Sequence, residues 1–234
     1  MTGLLEVRVT SVRAAAEAAQ GGADRLWLVR PGDDGDLSPW PEEVAQVRQA
    51  VSVELRVLLR LRDGYSTDGG EATRLRGLIW AFQEAGADGF GLGFLNGRGQ
   101  VDLEVVEALT EEGDWPWSFD RALDCALDRD RAWAALSDRP RLDSVLTAGS
   151  ARGLEHGLDR LIEEAGRPGR PTDLMMAAGG LTVEQVPWLA RAGLRRFQVG
   201  DRERSSAGLE ADQVAAWRRL IDAEVARADA RRVR

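Results

Sequence analysis

The sequence predicts one domain folded as a (β/α)8 TIM barrel, and three observations carry that expectation. Short apolar runs suited to strands are each followed by a helix start signal, eight times along the chain. The join of helix, Gly-Ala-Asp or Gly-Leu, and strand recurs at Gly22-Ala23-Asp24, Gly86-Ala87-Asp88 and Gly193-Leu194, where glycine would stop a helix and turn the chain back. The 234 residues divide into units of about 25 to 30 with no linker or break in composition. An open doubly wound sheet is the alternative.

The elements follow in order. Residues 4–9 form a first strand, and Ser11 caps the alanine-rich helix 12–20. Residues 25–29 form the second strand, followed by a Gly/Asp-rich loop to Trp40. Pro41 sits at the first position of a helix reaching about residue 50. The third strand is 54–60; a polar loop through Asp63-Gly64-Tyr65 leads to helix 71–85. Strand four (87–94) precedes helix 102–112, and strand five (115–119) precedes an arginine-rich helical segment to Leu136. Strand six (143–147) leads to helix 150–165, and strand seven (172–177) to a helix capped by Thr182 that ends at Gly193. Strand eight (195–199), a loop with Asp201-Arg202 and Ser205-Ser206, and a last helix over about 209–228 complete the domain, with an arginine-rich end that frays.

Composition narrows the chemistry. Hydrophobic residues make up 44% and charged residues 30%, as in ordinary globular chains. No apolar run is long enough to span a membrane, and no leader precedes the first strand, so a cytoplasmic protein is expected. A net charge of -8 argues against nucleic acid as a partner. The single cysteine, Cys125, rules out an internal disulfide. All 31 basic residues are arginines, which excludes lysine Schiff bases and lysine general bases. One histidine, His156, falls in a helix away from the strand ends. Carboxylates, arginines, hydroxyls and backbone amides remain.

In a barrel of this kind the carboxyl ends of the strands converge on one mouth. They carry Glu6 and Arg8, Trp27, Arg60 and Arg62, Phe94, Asp120 and Arg121, Thr147, and the Gly179-Gly180 turn. Carboxylates and guanidinium groups together suit a small anionic ligand, with Glu6 or Asp120 as the proton-transfer group and Arg60 and Arg62 as clamps. Arg121 and Trp27 would add ligand contacts. Thr147 and the amides of Gly179 and Gly180 would hold the ligand's far end, in the manner of a phosphate cup. The alternative is that these pairs only neutralise each other at the rim. No metal set is evident: Cys125, His156 and Met175-Met176 have no common ligand spacing, and adjacent methionines on a strand point to opposite sides. The tryptophans other than Trp27 read as packing.

The strand ends also carry a resemblance. Leu5-Glu6-Val7 with Ser11, Gly22-Ala23-Asp24-Arg25, Leu37-Ser38-Pro39, Arg60 and Arg62, Phe119 with Arg121-Ala122 and Asp124, Val145-Leu146-Thr147 with Gly149, and Met176-Ala177 with Gly179-Gly180 stand in one order. In that order and spacing the chain resembles the CutC family, labelled copper homeostasis proteins. The resemblance implies a (β/α)8 barrel, copper as the nominal ligand and a homo-oligomer. Where the family usually reads F-H-R-A-F-D, this chain has Asp120 in place of the histidine, and Trp27 replaces the family's second-strand acid. The family's two cysteines become Arg8 and Val29. Glu6, Arg60, Arg62 and Thr147 carry over. Copper therefore enters by resemblance only, and no other cofactor is expected. A metal-independent enzyme acting on a small phosphorylated or carboxylated metabolite, or a diverged non-catalytic binding protein, are the other readings.

Overall fold

A computed structural model describes residues 2–111, 113–200 and 208–232. Eight parallel strands close into a barrel: β1 (Leu4–Val9), β2 (Arg25–Leu28), β5 (Glu54–Leu58), β6 (Gly89–Leu92), β7 (Trp117–Phe119), β8 (Leu142–Thr147), β9 (Met175–Ala177) and β10 (Arg196–Val199), with β10 returning to β1. The remaining two strands, β3 (Arg30–Pro31) and β4 (Asp36–Leu37), form an antiparallel hairpin above β2, where sequence suggested only a loop. Its turn runs through Gly32-Asp33-Asp34-Gly35, closed by the Gly32 amide on the Gly35 carbonyl.

Helices α1 (Val12–Gln20), α2 (Pro41–Ala50), α3 (Gly69–Glu84), α4 (Leu103–Thr110), α5 (Ala122–Cys125), α6 (Arg129–Leu136), α7 (Leu154–Ala165), α8 (Val186–Ala192) and α9 (Ala211–Arg232) connect the strands. Ser11 caps α1 by accepting from the Ala14 amide, as expected. Gly86 and Gly193 take φ of 99° and 115° at helix ends, where a side chain would be strained. Two helix expectations need correction. The segment after β7 is two helices, because Asp128 caps a fresh start at Arg129. Thr182 does not cap α8, which begins at Val186; the Thr182 amide is bound instead by the Gln185 side chain. Among the described residues no helix is long and apolar enough to cross a membrane.

Alternation along each strand sorts residues between the two faces. On β1, Leu5, Val7 and Val9 join the main core under the helices, while Leu4, Glu6 and Arg8 point inward. Trp27, Val29, Leu58, Leu146, Met176 and Ala178 make a second apolar cluster inside the barrel. The Trp27 ring lies across the lumen against Gly91, where a Cβ would stand 1.9 Å from a ring carbon. Below this layer, at the amino ends of the strands, Arg25 and Arg56 are buried among Glu54, Ser118, Asp143 and Ser144. The barrel is thus filled by a charged plug, then an indole and aliphatic layer, and its mouth opens above that layer.

Candidate functional site

Above Trp27, Leu58 and Leu146 lies a cavity of about 350 Å³ at the carboxyl ends of the strands. Its polar wall is formed by Arg8, Arg60, Tyr65, Asp120, Arg121 and Gln198, with Asp34 and Asp36 of the hairpin on one side. The acids and arginines among these balance, so the mouth is polar without a strong net charge.

Each polar group is held by its own partners. Arg8 makes a two-pronged bond to Asp36, Nε at 2.8 Å and Nη2 at 2.5 Å, tying the hairpin down over the mouth. Arg60 continues the inward row of Arg56 and Leu58. Its Nη2 donates to Asp120 and, at 3.2 Å, to the Gly93 carbonyl. The Arg60 guanidinium also stacks 4.6 Å from the Tyr65 ring centre. Its Nε is buried and has no hydrogen-bond partner. Asp120 follows Ser118 inward, and its other oxygen accepts from the Ala122 amide at 2.8 Å. Burial raises the Asp120 pKa above the ordinary carboxyl value, outweighing Arg60 and the amide. Burial and the Asp120 charge likewise raise Tyr65 far above an ordinary phenol. Arg121 lines the cavity from the start of α5, with Nε on Asp124 and Nη2 on the carbonyls of Ser150 and Ala151.

Of the residues expected at the mouth, the structure brings together Arg8, Trp27, Arg60, Asp120 and Arg121. Phe94 is buried in the main core and does not line the cavity. The others stand elsewhere. Glu6 is fully buried beneath the cavity, because its carboxylate accepts from Arg25 at 2.5 Å and from Gln198 at 2.7 Å. Arg62 turns outward to Asp68 and Glu71 at the start of α3 and does not line the cavity. Thr147 faces the helices, donating to Asp124 at 2.7 Å while Arg129 donates to it. Gly179 and Gly180 do not form a helix-backed phosphate cup: α8 starts only at Val186, and the Gly179 carbonyl caps α7 through the Leu154 amide. The expected loop of Asp201, Arg202, Ser205 and Ser206 lies outside the described residues.

Sequence reasoning missed Tyr65, Gln198 and the hairpin acids as mouth residues. Gln198 was reachable, since it stands two residues after inward-facing Arg196. Tyr65 sits in a loop, and nothing local reveals its stacking on Arg60. As expected, His156 is exposed and Met175 and Met176 are fully buried. Three tryptophans expected to be packing, Trp40, Trp80 and Trp188, are mostly exposed.

The family model described as the CutC family matches residues 3–200. This chain belongs to the CutC family. A CutC family protein of Klebsiella pneumoniae (strain 342) is 30% identical over 207 residues, spanning 88% of this chain and 80% of the relative. One from Xanthomonas campestris pv. campestris (strain 8004) is 33% identical over 202 residues, covering 85% and 83%. Among solved structures, the putative copper homeostasis protein CutC from Streptococcus agalactiae aligns with a TM-score of 0.72 at 18% identity, covering 84% of this chain and 98% of that one. The homocysteine methyltransferase MmuM from Escherichia coli aligns at 0.64 with 15% identity, covering 94% and 96%, and shares the fold alone.

Proposed function

We propose that the mouth binds a small metabolite bearing a carboxylate or phosphate, anchored on Arg60, with Asp120 as the group that exchanges a proton with it. The observation that carries this reading is the Arg60 guanidinium, which stands in the cavity wall with Asp120 and the Gly93 carbonyl as its hydrogen-bond partners. Asp120 supports the proton role because burial raises its pKa, toward the range where it can carry a proton. Trp27 sets the depth of the site and supplies an apolar floor for the rest of the ligand.

Copper, whose homeostasis gives the Streptococcus agalactiae relative its name, is a poor fit to the donors present here. The mouth supplies guanidinium, carboxylate, phenol and amide groups, whereas cuprous copper prefers thiolate and thioether sulfur. Cys125, exposed at the end of α5 beside Tyr65, is a lone thiol, and Met176 is buried in the apolar layer with Trp27. Among the described residues no group of three or more His, Cys, Asp or Glu could hold a metal ion.

A thermal-shift panel tests the reading: phosphorylated and carboxylated metabolites against cuprous copper, cupric copper, zinc and magnesium. A ligand at 100 times its Kd stabilises by about 2.7 kcal/mol. An anion is expected to raise Tm in the parent protein and in Arg62→Ala, and to do nothing in folded Arg60→Gln. A shift with cuprous copper and none with any anion would overturn the proposal.

A further inference from the structure

A second cavity opens at the other end of the barrel, at the amino ends of β1 and β10 and the carboxyl ends of α7 and α8. It measures about 620 Å³, within the range of small-molecule sites, and its lining includes Leu4, Ala165, Asp173, Ala192, Arg195 and Arg196. We propose that it binds a small amino-acid-like zwitterion, with its carboxylate on Arg196, its ammonium toward Asp173 and an apolar side chain against Leu4, Ala165 and Ala192.

Arg196 is the basis of the assignment. It opens β10 beside Leu4 of β1, with the inward parity of Gln198, so it belongs to the charged layer at the foot of the barrel. Three guanidinium groups meet there, and the two acids inside the layer are already engaged. Asp143 is shared by Arg25 and Arg56, and Glu54 is bound by Arg56. Arg195 is tied to Asp229 at 2.5 Å and to the carbonyls of Ala190 and Leu194. Among the described residues the Arg196 side chain alone of these four has neither a hydrogen bond nor an ion pair. Burial and the charge of Arg25 depress its proton affinity, only partly opposed by Asp143 and Asp173. A half-buried, always-charged fork without an acceptor suits a planar carboxylate.

Asp173 selects the charge type. It is exposed at the cavity rim, has no ion pair among the described residues, and would repel a dianion such as phosphate. An ammonium next to the carboxylate turns that repulsion into attraction. The site lies at the opposite end of the barrel from Arg60 and stands or falls separately from the mouth.

The experiment is isothermal titration of the full chain with L-leucine, 4-methylpentanoate, 3-methylbutylamine and inorganic phosphate. Leucine is expected to bind saturably and more tightly than the other three. Arg196→Gln should weaken it at least tenfold with Tm retained, Arg196→Lys should restore part of the affinity, and Asp173→Asn should reduce leucine to the level of 4-methylpentanoate. Absence of saturable leucine binding, equal affinity in Arg196→Gln, or a preference for phosphate would overturn the proposal. So would leucine binding that disappears in Arg60→Gln while surviving in Arg196→Gln, because that assigns it to the mouth.

Discussion

Two arginine–carboxylate clusters in this barrel use the same residue types to different ends. Outside the strands, Arg129 is sealed between β8 and α7: Nε and Nη2 lie 2.7 Å from the two oxygens of Glu164, Nη1 lies 2.8 Å from Asp124, and Nη2 also reaches Thr147. The Asp124 oxygens additionally receive the Ala148 amide and the Thr147 hydroxyl. Every strong donor there has an acceptor. At the mouth, Arg60 has one carboxylate, one carbonyl and a buried Nε with nothing to bind. A saturated network fixes helices to strands, whereas an arginine with fewer partners that lines a cavity suits a ligand site. Residue type does not separate the two cases; the count of satisfied donors does.

The comparison can be broken by mutation. Arg129→Met removes the buried guanidinium that Asp124 and Glu164 share and is expected to cost about 3–5 kcal/mol, read as a large fall in the urea midpoint. A loss below about 1 kcal/mol would mean the cluster is no tighter than a surface pair. Gly91→Ala is next in size. Its methyl group collides with the Trp27 ring, and forcing extra volume into a packed interior costs about 1–3 kcal/mol. Displacement of the ring should also change tryptophan fluorescence and the affinity of any mouth ligand. An unchanged spectrum with full stability would show that Trp27 does not set the floor.

The smallest effect is a pH dependence. Burial pushes the Glu164 carboxyl up, but the hydrogen bonds and charge of Arg129 outweigh it, leaving the pKa below its ordinary 4.5. The unfolded chain then binds the proton first, so this contribution is present above about pH 4.5 and fades as pH falls through the depressed folded value. Glu164→Gln should remove that part of the acid slope while lowering stability at neutral pH. An acid slope identical to the parent's would place the linkage elsewhere.

Much of the barrel was legible in the chain. Strand and helix alternation, the Ser11 cap and the helix-ending glycines are local, and they appear where expected. The family was legible as well, because its residues recur in order along the strand ends. The candidate site was only partly so. Asp120, Arg121, Arg60 and Trp27 reach the mouth because strand ends of a closed barrel converge there. Glu6 and Thr147 have the same kind of position in sequence yet point elsewhere. Glu6 is drawn into the plug by Arg25, whose presence beside it depends on the register of β1 with β2. Thr147 has the outward parity, and its hydroxyl belongs to the Asp124 and Arg129 network.

The sequence by itself determined the fold class, the family and the chemical inventory of arginines and carboxylates without lysine. Periodicity, caps and composition are written into neighbouring residues. Only the tertiary structure decided which arginine finds which acid, because pairing depends on residues far apart in the chain meeting across a closed sheet. That pairing left Arg60 with one donor unused at the mouth and the Arg196 side chain without an ion pair at the foot, where Asp143 and Glu54 are held by Arg25 and Arg56.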